Sequence, residues 1–139
     1  MANAIPFQLI TPRSIKFDGE AELVIAVGTE GEVGILPSHA PYLTALRPGV
    51  LRANVRDGGA TTRLELACGE GFLQALPGKI TILADAAVGR EEIDISEARA
   101  DLQTAQDEQK SAGGDLDAWR RAQAKIDFAN ARLTVAGVS

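Results

Sequence analysis

Between Phe7 and Val88 the chain alternates short apolar stretches with turn residues at close spacing. Phe7-Gln8-Leu9-Ile10 ends at Thr11-Pro12, and Ile15-Lys16-Phe17 ends at Asp18-Gly19. Further apolar stretches cover 23–27, 35–36, 42–46, 50–55, 64–68, 72–76 and 80–84. They are separated by Glu30-Gly31, Pro48-Gly49, Asp57-Gly58-Gly59 and Pro77-Gly78. Runs bounded in this way predict strands. The intervals leave no room for crossover helices, so the expected arrangement is an antiparallel β-sandwich or flattened barrel. In residues 63–68 the even positions are apolar, which places Leu64, Leu66 and Cys68 on the inward face. Gly31 and Gly34 read as turn glycines with positive φ.

After Gly89 the punctuation stops and the period becomes helical. Asp94 is a cap with Glu97 three residues on, and the first helix runs to about Ser111, where Gly113-Gly114 ends it. Asp115 caps the second, with Asp117 in its first turn, and that helix runs to about Val135. Ile95, Ala98, Leu102 and Ala105 form one apolar stripe. Trp119, Ala122, Ile126, Ala129 and Leu133 form another, with Leu116 just before it. The short connection predicts an antiparallel two-helix hairpin with a thin, alanine-rich seam. Such a seam stabilises the pair only modestly, so the hairpin needs the sandwich or a partner, and it is a candidate moving part.

Composition narrows the classes. The 139 residues carry a net charge of −5, with 45% apolar, 24% charged and 4% aromatic residues, as in a globular domain with an aliphatic core. The acidic balance argues against a nucleic-acid binder. No apolar run reaches the length that spans a bilayer, and the first residues lack the pattern of a signal peptide. One cysteine and one histidine exclude an intrachain disulfide and a structural zinc site, and a cytosolic setting is expected. Residues 91–139 hold ten Asp+Glu against six Lys+Arg, net −4, whereas the first ninety hold nine against eight, net −1. Within that tail Arg120, Arg121, Lys125 and Arg132 make the second helix locally basic. This is either a solvated face or a surface for an acidic partner.

Catalytic chemistry is thin. Ser38 and His39 are neighbours in the proline-flanked loop Leu36-Pro37-Ser38-His39-Ala40-Pro41, but adjacency does not make side chains converge, and a contact role for His39 is expected. Gly69-Glu70-Gly71 has neither the third glycine nor the following helix of a dinucleotide site, and no P-loop occurs. Glu30 and Glu32 read as a polar loop tip, and Cys68 as a small core residue.

The residues quoted, and above all Glu30-Gly31-Glu32-Val33-Gly34-Ile35-Leu36-Pro37-Ser38-His39-Ala40-Pro41, resemble the epsilon-subunit family of bacterial F-type ATP synthase. The mitochondrial equivalent is called delta. Phe17-Asp18-Gly19-Glu20, Leu46-Arg47-Pro48-Gly49, Gly71-Phe72-Leu73 and the run from Ile80 to Asp85 extend the likeness along nearly the whole chain. The resemblance implies a sandwich of about ten strands over 1–88 and a helical hairpin over 89–139. It implies a non-catalytic subunit of the central rotor stalk, bound to gamma and resting on the c ring, which couples proton flow to ATP synthesis. The implied location is the cytoplasmic side of the bacterial inner membrane, peripheral and without insertion. In bacterial members the hairpin can leave the sandwich, extend along gamma and reach beta, inhibiting ATP hydrolysis.

By position the resemblance assigns Glu30, Gly31 and Glu32 to the c-ring contact and His39, Pro41 and Tyr42 to gamma. It assigns Arg120, Arg121 and Lys125 to beta in the extended state. Some members bind ATP as a regulatory ligand at an Ile/Leu-Asp-x-x-Arg-Ala motif. Ile95, Arg99 and Ala100 match it, but Ser96 replaces the Asp, so weak or absent ATP binding is expected. No other cofactor and no metal is implied. The competing readings are a stand-alone β-sandwich binding module and a small hydrolase using Ser38 and His39.

Overall fold

The computed structural model describes residues 3–138. Its strands are β1 (Ile5–Ile10), β2 (Ile15–Gly28), β3 (Gly31–Ile35), β4 (Tyr42–Leu46), β5 (Gly49–Asp57), β6 (Ala60–Cys68), β7 (Gly71–Leu76), β8 (Lys79–Ala84) and β9 (Ala87–Val88). They pair in the order β1-β8-β7-β4-β2-β5-β6-β9, with β3 on β2. β1 also pairs with β2, so the sheet folds back on itself as a flattened sandwich. Nine strands are described where about ten are expected. Ile15-Lys16-Phe17 and 23–27 are one 14-residue strand, which bends where its register against β5 shifts between Ala21 and Leu23.

Two local expectations need correction. β1 and β8 pair in parallel, an exception in an otherwise antiparallel sheet. Short turns force neighbouring strands to reverse, but β1 and β8 are joined through nearly the whole domain, so no turn sets their direction. Gly34 is not a turn glycine: it lies inside β3, paired with Ile25. Gly31 does have positive φ, +131°, where the chain leaves the two-residue turn and enters β3.

The core is mostly aliphatic, with one pair of phenylalanines. Phe7, Leu9, Val24, Leu73, Ile80 and Ile82 are its largest fully buried side chains, and the Phe7 and Phe17 rings lie 5.5 Å apart. Leu66 and Cys68 point inward as period two requires, with the half-buried Leu64 at the margin. Burial pushes the Cys68 thiol up to about 12, which leaves it inert as a nucleophile.

A 3₁₀ turn, Arg90–Glu92, leads to α1 (Ile95–Ser111) and α2 (Leu116–Val135). Asp94 accepts from Glu97 N–H and Asp115 from Ala118 N–H, both at 3.1 Å, so each helix starts where its cap predicts. Gly113, at φ +58°, follows the end of α1. The reciprocal cap lies one turn earlier, where Gly89 N–H donates to Glu92 Oε1 at 3.1 Å.

Ala98 and Ala105 of α1 and Ala122, Ile126 and Ala129 of α2 are buried along the seam. Leu116 and Trp119 are not, at 57% and 43% exposure. They lie in the first turn of α2 beside the interhelical loop, where α1 has already ended. A second stripe on α2, Ala124, Phe128, Ala131 and Val135, escaped the sequence reading. Ala131 and Val135 pack with Ala67, and Val50, Val88, Ile93 and Phe128 border them, which docks the hairpin on the outer side of β5, β6 and β9.

Candidate functional site

Three surfaces carry the residues singled out from the sequence, and they lie on different parts of the fold. The first is the β2–β3 turn. Thr29 and Glu30 form its tip, and Gly28 pairs with Gly31. Thr29 N–H donates to Ala45 O and Arg47 N–H to Val27 O, both at 3.1 Å, so β4 braces the turn. Glu30 is exposed at the tip, whereas the Glu32 carboxylate is held by Arg52 of β5 at 3.1 Å.

The second surface is the loop between β3 and β4 with the sheet face beside it. Neither His39 ring nitrogen is bonded to Ser38. Nδ1 lies 2.8 Å from Leu36 O and Nε2 2.7 Å from Leu76 O, an arrangement that leaves no base for a nucleophile. Pro41 and Tyr42 are exposed where β4 begins. The neighbouring face follows from period two on β1, β8, β7 and β4. Their inward residues fill the core, so Ala45, Phe72, Leu83 and Ile10 lie side by side on the outside. Phe72 and Leu83 are 57% and 51% exposed, and Leu43 beside them 67%. The signal was present in the sequence, since Phe72 and Leu83 stand at the outward parity of runs apolar on both faces.

The third surface is the hairpin. Arg120, Arg121 and Lys125 are exposed on α2. Lys125 Nζ bonds Glu108 at 3.0 Å and Arg132 bonds Asp101 at 3.0 Å, so acids of α1 neutralise half of the basic stripe. Arg121 and Lys125 also line a groove of about 390 Å³ between α2 and the sandwich, opposite Glu70 and Asp85. Between the helices a cavity of about 470 Å³ is lined by Glu97, Asp101, Glu108, Lys125, Phe128 and Arg132, among others. The Arg132 guanidinium sits 4.7 Å from the centre of the Phe128 ring. Ile95, Arg99 and Ala100 do not line this cavity, and Arg99 and Ala100 are exposed.

Among the described residues no group of His, Cys, Asp and Glu is placed to hold a metal, and no helix is long and apolar enough to cross a membrane. Residues 4–90 match the family model of the ATP synthase delta/epsilon chain, β-sandwich domain. The chain is 38% identical over 120 residues to the ATP synthase epsilon chain of Desulforamulus reducens, covering 86% of this chain and 88% of that one. It is 36% identical over 126 residues to the same chain of Chromobacterium violaceum, covering 91% and 88%. Its fold matches a chain in the mitochondrial ATP synthase of Euglena gracilis, determined with OSCP, F1 and c ring, with a TM-score of 0.76 at 22% identity over 96% of this chain and 81% of that one. It also matches a chain in the central stalk and c ring of the Tetrahymena thermophila mitochondrial enzyme, with a TM-score of 0.64 at 17% identity over 96% and 97%. Matched over its whole sandwich by the family model and over most of its length by epsilon chains at 36–38% identity, the chain belongs to the delta/epsilon chain family of ATP synthase, a non-catalytic subunit of that enzyme.

Proposed function

We propose that this chain seats on the central stalk of a bacterial ATP synthase, against gamma, through the outward face of β1, β8, β7 and β4. In that position it couples rotation of the c ring to ATP synthesis. The observation that carries this reading is the row Ile10, Leu83, Phe72 and Ala45 with Leu43 beside it, contiguous apolar surface on a sheet whose inner face is already packed. Patches of this kind mark protein contacts. His39, Pro41 and Tyr42 border the same face. The Glu30-Gly31-Glu32 turn meets the c ring in this reading, and Arg52 and β4 keep it rigid enough to transmit force. The chain is then peripheral, on the cytoplasmic side of the inner membrane.

Regulation belongs to the hairpin. Its contact with the sheet is a small cluster separate from the main core, so release leaves the sandwich intact. Released, α2 presents Arg120, Arg121 and Lys125 to an acidic segment of beta and slows ATP hydrolysis. ATP does not act as a tight ligand, because the cations of the interhelical cavity are already paired.

The test uses ATP synthase stripped of this subunit, with wild-type chain or a Phe72→Glu, Leu83→Glu double variant added back. Both positions are exposed, and because the two carboxylates stand opposite each other across β7 and β8 the variant's fold is checked by circular dichroism before it is added; two charges in an apolar contact then weaken rejoining by about 100-fold or more. Incorporation equal to wild type rules this face out as the docking surface. Failure of the wild-type chain to join any synthase subunit favours the stand-alone module instead.

A further inference from the structure

The backbone N–H of His39 donates to Leu36 O at 3.0 Å, closing a turn inside the β3–β4 loop. The ring curls onto the same carbonyl through Nδ1 at 2.8 Å and reaches Leu76 O, at the end of β7, through Nε2 at 2.7 Å. Carbonyl oxygens only accept hydrogen bonds, so each ring nitrogen must carry a proton for both contacts to be bonds. A neutral imidazole carries one N–H, and in either tautomer the other nitrogen turns a lone pair toward a carbonyl.

We propose that His39 is a proton-dependent staple: doubly protonated, its ring ties the Leu36 turn to the end of β7, and neutral, it releases one of the two carbonyls. The segments it touches carry few other titratable groups. The 36–41 loop has none besides His39, Tyr42 opens β4, and Lys79 opens β8 three residues past Leu76. The ring bonds the carbonyls of Leu36 and Leu76 and neither of these side chains. Leu36 and Leu76 are 58% and 45% exposed, so the staple fixes the spacing of two apolar residues beside the sheet face. The consequence for partner docking rests on the reading under Proposed function; the staple itself does not.

Thermal unfolding of the full chain, wild type and His39→Gln, at about pH 5.5 and 8.5 decides the matter. One bond from a charged donor predicts a midpoint gap about 3–6 °C wider at the lower pH. An equal gap at both values overturns the proposal. The wild-type chain alone gives an independent reading by nuclear magnetic resonance. At the lower pH both ring N–H protons should give separate, slowly exchanging signals, and fast exchange of either refutes the staple. Affinity for isolated gamma should change about tenfold between the two pH values in wild type and stay flat in the variant. Absence of gamma binding at both values defeats the docking reading, and the unfolding gap then still decides the staple.

Discussion

Glu92 ties three segments together with one carboxylate. Oε1 accepts from Gly89 N–H at 3.1 Å and Lys16 Nζ at 3.3 Å, while Oε2 accepts from Lys16 Nζ at 3.0 Å. The junction between sandwich and hairpin is thereby anchored to the start of β2. These bonds, the Gly89 amide first and Lys16 next, hold the Glu92 carboxyl below its ordinary value of 4.5. Glu22 is lowered in the same way, by the Thr61 hydroxyl and then Arg56. A carboxyl depressed in the folded state stabilises fully above its unfolded value and loses that contribution as pH falls through the folded one. Glu92→Gln is therefore expected to be less stable than wild type at neutral pH, with the difference closing below about pH 4. Urea unfolding across the acidic range measures it, and a gap that persists unchanged at pH 3 contradicts the assignment. Glu92 was invisible as an anchor in the sequence, because Lys16 lies 76 residues away.

At the scale of elements, α2 is the piece that both domains share. One stripe faces α1 through Ala122, Ile126 and Ala129, and the other faces the sheet through Phe128, Ala131 and Val135. A helix with two apolar stripes is held from two sides, whereas α1 has only one to offer. The matching signal on the sheet is Ala67. It stands at an outward position of β6 yet is fully buried, so 66–68 breaks the alternation where α2 covers it. Ala131→Glu puts an unpaired carboxylate into that contact, and its desolvation, worth several kcal/mol even after relaxation, disfavours docking. Hydrogen exchange should then show α2 and the outer side of β6 losing protection while β1, β7 and β8 keep theirs. In the reconstituted enzyme the same variant should slow ATP hydrolysis more than wild type does. Unchanged protection, or faster hydrolysis despite release, counts against a hairpin switch.

Over the whole molecule the charge asymmetry resolves into internal pairing. The acidic α1 lies against the basic α2, and Glu108–Lys125 and Asp101–Arg132 close across the hairpin at 3.0 Å each. A surface pair such as Glu108–Lys125 adds little to stability singly, but together with the largely buried Arg132 it decides what the interhelical cavity can accept. Three carboxylates face two cations on its lining, both cations already engaged, and the chain as a whole carries −5. A triphosphate meets net negative charge there, and Arg99 does not line it. Titration calorimetry of the isolated chain with ATP is accordingly expected to give millimolar or unmeasurable affinity. A micromolar dissociation constant would show that Ser96 suffices in place of the motif Asp.

Local chemistry alone determined a good deal of this protein. Turn residues set where strands reverse, period two chose the inward face of β6, and Asp94 and Asp115 marked both helix starts, because each of these depends on neighbours within a few residues. The Glu30-to-Pro41 segment also carried the family in its own sequence. What only the tertiary structure decided involves partners far apart along the chain. These are the parallel β1–β8 pair, the merging of two apolar stretches into a bent β2, the exposure of Leu116 and Trp119, the docking stripe on α2, and the two carbonyls around the His39 ring. Composition and periodicity report whether a residue can be buried or bonded; which distant group does it depends on the register and direction in which the sheet closes.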